Sequence, residues 1–91
     1  RVAMRQGDPQ QASDYWGTAG KLHNDVEAWK LAEVSFAFAL EIDPSRVDVL
    51  SGLALAQIKN GQVVSAQTTI NTLSQLDPGN AEVVELQRLL P

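Results

Sequence analysis

Apolar residues recur at intervals of three and four along most of the chain, which is the spacing of one face of an α-helix. The pattern is clearest around Trp29, Ala32, Phe36 and Ala39. The same spacing returns later at Leu50, Leu53, Ala54 and Ile58, and again at Val63, Ala66, Ile70 and Leu73. No segment alternates apolar and polar residues over the length of a strand, so the pattern predicts an all-α chain.

Proline and glycine divide these helical segments. Pro44 and Pro78 cannot continue a helix, so each ends one helical pair and begins the next. Gly61 is placed where a left-handed C-cap would join two helices. We expect Ser45 and Asp48 to form a capping box, and Asn80 to cap the last helix. The predicted helices span about 10–23, 27–42, 46–59, 63–76 and 80–89, with short connections that make neighbours antiparallel.

A sequence repeat underlies the pattern. The phrase "FAFALEIDP" ends at Pro44 and "TLSQLDP" ends at Pro78, and the interval between these two prolines is the length of one repeat. A shift by the same interval places Ala32 on Ala66 and Phe36 on Ile70, so small residues match small ones and large apolar residues match large ones. The predicted organisation is a tail of a preceding repeat or a linker at 1–9, repeats at 10–44 and 45–78, and a C-terminal capping helix at 79–91.

The order of large and small residues in the first unit resembles the tetratricopeptide repeat, which has a unit of about 34 residues. The matching positions are Trp16, Ala19, Gly20, His23, Ala32, Phe36 and Pro44, and more weakly Leu50, Leu53, Ala54, Gly61, Ala66, Ile70 and Pro78. The resemblance implies a right-handed α–α superhelix of two helix pairs plus the capping helix. Glu27 replaces the usual turn glycine, so we expect the chain to turn one or two residues early. Gln57 replaces an aromatic residue, which is expected to loosen the second pair.

Composition excludes several functions. Lys plus Arg is 7 and Asp plus Glu is 11, a net charge of −4 without a basic cluster, so nucleic acid is not an expected partner. No apolar run has the length of a membrane span, so direct membrane insertion is not expected. Because the chain has no cysteine, disulfides and zinc–cysteine sites are excluded. The chain starts at Arg1 rather than Met, and we interpret it as a fragment or a processed form.

No residues with the pattern of a catalytic, metal or cofactor site are found. The segment "GTAGK", Gly17 to Lys21, lacks the spacing of a phosphate-binding loop and lies within a predicted helix. His23 is the single histidine and has no partner set for a metal or a triad. We expect it to pack, as we expect both tryptophans to lie in the core, and the carboxylates to cap helices or face water. The sequence therefore predicts no enzyme and no cofactor.

The family resemblance also implies a binding surface, because the first helix of each pair lines the concave side of the stack. The expected groove residues are Asp14, Gly17, Lys21, Asn24, Asp48, Ser51, Leu55, Ile58, Glu82, Glu85 and Leu89. Leu55 and Ile58 are apolar where a solvent-facing helix could be polar, which favours contact with a partner. The alternative, given equal weight, is that packing or a preceding repeat covers them.

These observations support two functional hypotheses. The first is a non-catalytic protein–protein interaction module that binds a peptide or a partner helix in its concave groove, in an adaptor or assembly role. The alternative is a structural or self-association segment of a longer helical-repeat protein, which would form a homodimer or continue a longer repeat array. The second is favoured by repeat number, because about three repeats are usually needed for stability and only two are complete.

Overall fold

The computed structural model describes residues 8–91, which form five α-helices joined by short turns. The helices are α1 Pro9–Asp25, α2 Trp29–Ile42, α3 Val47–Lys59, α4 Val63–Leu76 and α5 Ala81–Leu89. Every predicted helix boundary lies within two residues of the observed one. The described chain is 80% helical and has no strand among its described residues, which confirms the all-α prediction. No helix in this part of the chain is long and apolar enough to cross a membrane.

The helix starts are capped by short side chains in two of the five cases. The Asp8 carboxylate accepts hydrogen bonds from the backbone N–H groups of Gln10 and Gln11, at 3.0 and 3.3 Å, and Pro9 occupies the first turn of α1. Asn80 accepts from the N–H of Glu82 at 2.7 Å, so the predicted cap of α5 is confirmed. These caps satisfy backbone donors that a helix start leaves without an intrahelical partner.

The predicted capping box before α3 is wrong. The N-cap of α3 is Arg46, and its side chain makes no capping hydrogen bond. Ser45 instead donates its N–H and its hydroxyl to the carboxylate of Asp43, at 3.2 and 3.0 Å. The Asp48 carboxylate, which would have completed the box, is held by Arg46. The hydroxyl of Ser45 thus bonds within the turn before α3 instead of capping the helix. Short polar side chains often hydrogen-bond to nearby groups in this way, in competition with helix capping.

The two turns within the helix pairs have the same conformation. Gly61 has a φ of +78° between α3 and α4, as predicted. Glu27, one repeat earlier, has a φ of +61° between α1 and α2. The expectation of an early turn is therefore wrong, because the chain keeps the turn in register and Glu27 takes the left-handed backbone that glycine adopts more easily.

The core of the first pair is centred on Phe36, which is fully buried. Buried residues of α2 and α3 surround it in one cluster: Ala32, Ala39, Val49, Leu53 and Ala56. Gly20 of α1 and Gly52 of α3 both lie against its ring, leaving no room for a Cβ atom at either position. The small residues predicted from the repeat thus allow α1, α2 and α3 to approach one aromatic side chain closely.

The second cluster joins α3 and α4 to α5. Its buried members are Leu50, Ala54, Ile70, Leu73 and Leu86. Gln57, expected to loosen this pair, is buried, and its side-chain oxygen accepts a 2.7 Å hydrogen bond from the hydroxyl of Thr69. Leu86 is the buried residue of α5, so this helix closes the apolar end of the second pair.

The two tryptophans are not fully buried, in contrast to the prediction. Trp16 is half-buried at the edge of the first cluster, with its ring against Tyr15 and Phe38. Trp29 is half-buried at the start of α2, and the ammonium group of Lys59 lies 5.8 Å from its ring centre. Both tryptophan side chains are therefore only partly covered.

Candidate functional site

A groove runs across α1, α3 and α5, the three helices expected to line the concave side. Its cavity has a volume of about 380 Å³. The lining residues are Lys21, Asp48, Ser51, Gly52, Leu55, Glu82, Glu85, Leu86 and Leu89. Seven of the eleven groove residues that the sequence analysis placed on α1, α3 and α5 are therefore brought together: Lys21, Asp48, Ser51, Leu55, Glu82, Glu85 and Leu89.

The floor of the groove is apolar. Leu55 is half-buried and packs on the second core cluster, and Leu86 is only 5% exposed. Leu89 lies one turn further along α5 and is 47% exposed. Because Leu55 and Leu86 are held by core packing on one side and line the cavity on the other, they form a fixed surface for an apolar side chain.

One edge of the groove is an ion-pair network around the start of α3. The Arg46 guanidinium donates to Asp14 of α1 at 2.6 Å and to both carboxylate oxygens of Asp48 at 3.0 and 3.1 Å. Lys21 adds its ammonium group 3.7 Å from Asp48. The hydrogen bond from Arg46 lowers the pKa of Asp48 below its usual range, although partial burial opposes the shift. The same hydrogen bond raises the pKa of Arg46, so both groups stay charged near neutral pH.

The opposite edge is acidic and belongs to α5. Glu82 and Glu85 are one turn apart and exposed. Glu85 lies 3.4 Å from Arg88, but Glu82 makes no ion pair within residues 8–91. Among the four charged residues that line the groove, three are acidic and Lys21 alone is basic. The groove therefore combines an apolar floor with an excess of negative charge at its rim.

Four predicted groove residues do not line this cavity, and each has a structural reason. Asp14 lies beside it but is engaged by Arg46. Gly17 is buried where α1 meets α3, and a Cβ there would lie 3.2 Å from Val49. The Asn24 amide donates to the carbonyl of Gly52 at 3.2 Å, which ties α1 to α3. Ile58 is half-buried and packs against the second core cluster.

Three residues of the site were not among the predicted groove set. Gly52 of α3 and Leu86 of α5 both line the cavity, and the side of Gly52 that a Cβ would occupy faces the ring of Phe36. The apolar period of α5 identifies Leu86 as a core candidate, but not as one exposed at the groove. Arg46 organises the charged edge although it precedes α3, and its long side chain reaches α1 across 32 positions of sequence. Residue spacing contains no signal for such a contact.

The described residues do not contain a metal centre. No group of three or more histidine, aspartate or glutamate residues lies close enough to hold an ion within residues 8–91. His23 is half-buried on α1, outside the cavity. The groove therefore consists of an apolar floor with charged side chains at its rim.

Comparison with known proteins gives one family. A family model described as tetratricopeptide repeat matches residues 25–90, which is well over half of the chain. No curated protein and no solved structure gave a significant match. The match covers α2 to α5 and therefore includes the apolar floor and both edges of the groove, apart from the residues of α1.

Proposed function

Because this chain belongs to the tetratricopeptide repeat family, whose members typically act as protein–protein interaction modules, we propose that it binds a peptide or a partner helix in the α1–α3–α5 groove. The role is non-catalytic, in an adaptor or an assembly. The observation that carries the proposal is the apolar floor of Leu55, Leu86 and Leu89 set between two charged edges. This arrangement suits an amphipathic segment with one large apolar anchor.

The charges of the groove favour a basic segment. Lys21 and Asp48 already pair with each other, and Arg46 completes the neutralisation of that edge. On the α5 edge, Glu82 has no cationic partner among residues 8–91 and the carboxylate of Glu85 is shared with one exposed arginine. A Lys or Arg beside the apolar anchor would meet these two glutamates. Complementary charge at the rim raises the association rate and the specificity more than the affinity itself.

The proposal is tested with defined peptides rather than with an extract. One labelled peptide is an amphipathic helix of leucines and lysines, and a second has glutamate in place of each lysine. We expect the basic peptide to bind more tightly by fluorescence anisotropy, and Leu55→Asp to abolish its binding. Val64→Asp is the control, because Val64 lies on α4 away from the groove and is 81% exposed. Equal binding by wild type and Leu55→Asp would exclude the groove as the binding surface.

The alternative function, a segment of a longer helical-repeat protein, is supported by α1. Tyr15 and Leu22 of α1 and Val26, the residue that follows it, are 67, 60 and 74% exposed. Their counterparts one repeat later face the first helix pair: Val49 and Ala56 are buried, and Asn60 bonds to Glu33 of α2. A further helix pair packed in the same register would cover the α1 residues. A chain extended at its N-terminus by such a pair would then have a higher melting temperature than the present chain.

A further inference from the structure

The turn between α3 and α4 contains an asparagine followed directly by a glycine, Asn60 and Gly61. Asparagine is one of the chemically less durable residues of proteins, because the backbone nitrogen of the next residue can attack its side-chain carbonyl carbon. Glycine permits this attack most readily, since it has no side chain to obstruct it and its backbone reaches the widest range of conformations. Neither residue lines the groove, so the chemistry of this turn is independent of peptide binding.

Asn60 differs from the other asparagines of the chain in the residue that follows it. Each of the others precedes a residue with a side chain: Asn24 precedes Asp25, Asn71 precedes Thr72 and Asn80 precedes Ala81. Asn24 and Asn71 also lie within α1 and α4, where the helical backbone holds the next nitrogen in place. Asn60 is instead the C-cap of α3, and Gly61 has a φ of +78°. The sequence and the fold therefore place the most reactive asparagine in a turn.

Water reaches this turn. Asn60 is partly exposed and lines a depression of about 330 Å³ together with Trp29 and Lys30. A Cβ atom built on Gly61 would meet no heavy atom within 4 Å beyond its chain neighbours. The turn thus has room to change shape, and the water needed for hydrolysis has direct access to it.

Two hydrogen bonds keep the reacting groups apart in the folded chain. The side-chain amide of Asn60 donates to the carboxylate of Glu33 on α2 at 2.8 Å. The backbone N–H of Gly61 donates to the carbonyl of Ile58 at 3.0 Å. Both bonds have to break before the Gly61 nitrogen can lose its proton and reach the Asn60 carbonyl carbon. The bond to Glu33 is the stronger restraint, because a hydrogen bond to a carboxylate is charge-assisted.

We propose that Asn60 is a site of spontaneous deamidation, and that Glu33 restrains the reaction in the folded chain. The Gly61 backbone nitrogen loses its proton and bonds to Cγ of Asn60, the bond from Cγ to Nδ2 breaks, and ammonia leaves with that proton. Water then opens the resulting cyclic imide at either carbonyl, which gives aspartate or isoaspartate at position 60. The reaction consumes one water, releases one ammonia and oxidises nothing.

Either product weakens the contact between α3 and α2. The new carboxylate faces Glu33 in place of the amide that donated to it, so two negative charges meet where a hydrogen bond stood. Position 60 is also the C-terminal end of α3, where the helix dipole disfavours negative charge. The isoaspartate form adds a methylene group to the backbone of the turn as well. Asn60→Asp reproduces the charge alone and should melt at a lower temperature than the wild type.

The test follows each asparagine in the whole chain by peptide mass spectrometry, with chromatographic separation of the aspartate and isoaspartate forms, during incubation in mildly alkaline buffer. We expect conversion at Asn60 and little at Asn71 and Asn80. Glu33→Ala should speed the conversion by on the order of 10-fold or more, because loss of a charge-assisted hydrogen bond raises the population of the opened turn. Glu41→Ala is the matched control, since Glu41 is exposed on the same helix, and it should react at the wild-type rate.

The same measurement in guanidinium chloride separates the restraint from the intrinsic reactivity. Wild type and Glu33→Ala should then react at one common, faster rate, because the fold no longer holds the turn. If Glu33→Ala does not fold in buffer, Glu33→Gln is used, which keeps an acceptor without the charge and should still react faster than wild type. Equal rates for the wild type and the folded Glu33 variant in buffer, or conversion at Asn60 in guanidinium chloride no faster than at Asn80, would overturn the proposal.

Discussion

A Cβ atom on Gly20 would lie 2.6 Å from the ring of Phe36, closer than real Cβ contacts allow. Gly52 approaches the same ring from α3, so the first core cluster is built around an aromatic side chain held between two glycines. This contact determines how closely α1 and α3 can approach α2, and hence where the groove between α1, α3 and α5 lies.

Gly20→Ala should lower the free energy of unfolding by about 1–3 kcal/mol, because the added methyl overpacks a rigid core. Gly17→Ala on the same helix is the matched control. Its Cβ would lie 3.2 Å from Val49, a contact that a small shift relieves, and alanine favours the helix by about 1 kcal/mol over glycine. We expect the control to change stability little in urea denaturation followed by circular dichroism. Equal effects of the two substitutions would mean that the ring of Phe36 is not confined by Gly20.

Glu27→Gly should stabilise the protein by about 1 kcal/mol, because a left-handed backbone costs a non-glycine residue roughly 1–2 kcal/mol and part of that gain is offset by glycine's entropy. Glu27 has a φ of +61°, and Gly61 shows what the same turn prefers in the second repeat. Glu27→Gln is the control, since it removes the charge but keeps the strained backbone. A melting temperature raised by both substitutions alike would assign the effect to charge.

Thr69→Val should cost about 1–3 kcal/mol, because it leaves the buried side-chain oxygen of Gln57 without a donor. Gln57→Leu should cost less. In that variant the Thr69 hydroxyl keeps an acceptor in the carbonyl of Ser65, 3.0 Å away. The free energies of unfolding of the two variants are compared by chemical denaturation. A larger loss of stability for Gln57→Leu than for Thr69→Val would show that side-chain shape, rather than the hydrogen bond, determines the stability of this site.

Asp48→Asn should lower stability near neutral pH and have less effect in acid. The pKa of Asp48 is lowered in the folded state, chiefly by the hydrogen bond from Arg46, so its contribution is complete above the unfolded pKa of about 4 and is lost as the pH falls through the lower, folded value. The Asp48 side chain is 43% exposed, which limits the effect to roughly 1 kcal/mol or less at low salt. Unfolding of both proteins is measured from neutral pH down to about pH 3. A difference that stays constant over this range would contradict the ion pair.

The spacing of residues predicted most of the fold. Ala32, Phe36 and Ala39 recur at helical intervals and have apolar counterparts in the second repeat, so their burial follows from the period alone. The turn at Glu27 could not be predicted from the preference of that residue alone. The packing of α1 against α2 keeps the turn at the same repeat position as Gly61, although the left-handed backbone there is unfavourable for glutamate. Ser45 could either form a capping box with Asp48 or donate to Asp43, as it does in the structure. The sequence motif does not show which of these two arrangements forms.

The groove was predictable only in part. The stripe of Ser51 and Leu55 follows from the helix period together with the family resemblance. Gly17 was expected beside them but is buried, because its helix approaches α3 to contact distance there. The reach of Arg46 across to Asp14 depends on a side-chain conformation that no sequence period encodes.

We propose that the α1–α3–α5 groove is a binding surface for a basic amphipathic segment. Amide chemical shifts of the labelled protein, followed during titration with the leucine–lysine peptide, test it most directly. If the groove binds the peptide, we expect saturable changes centred on Lys21, Ser51, Leu55 and Glu85, with the outward faces of α2 and α4 unaffected. Changes confined to α2 or α4, or no changes at peptide concentrations that saturate the anisotropy signal, would contradict it.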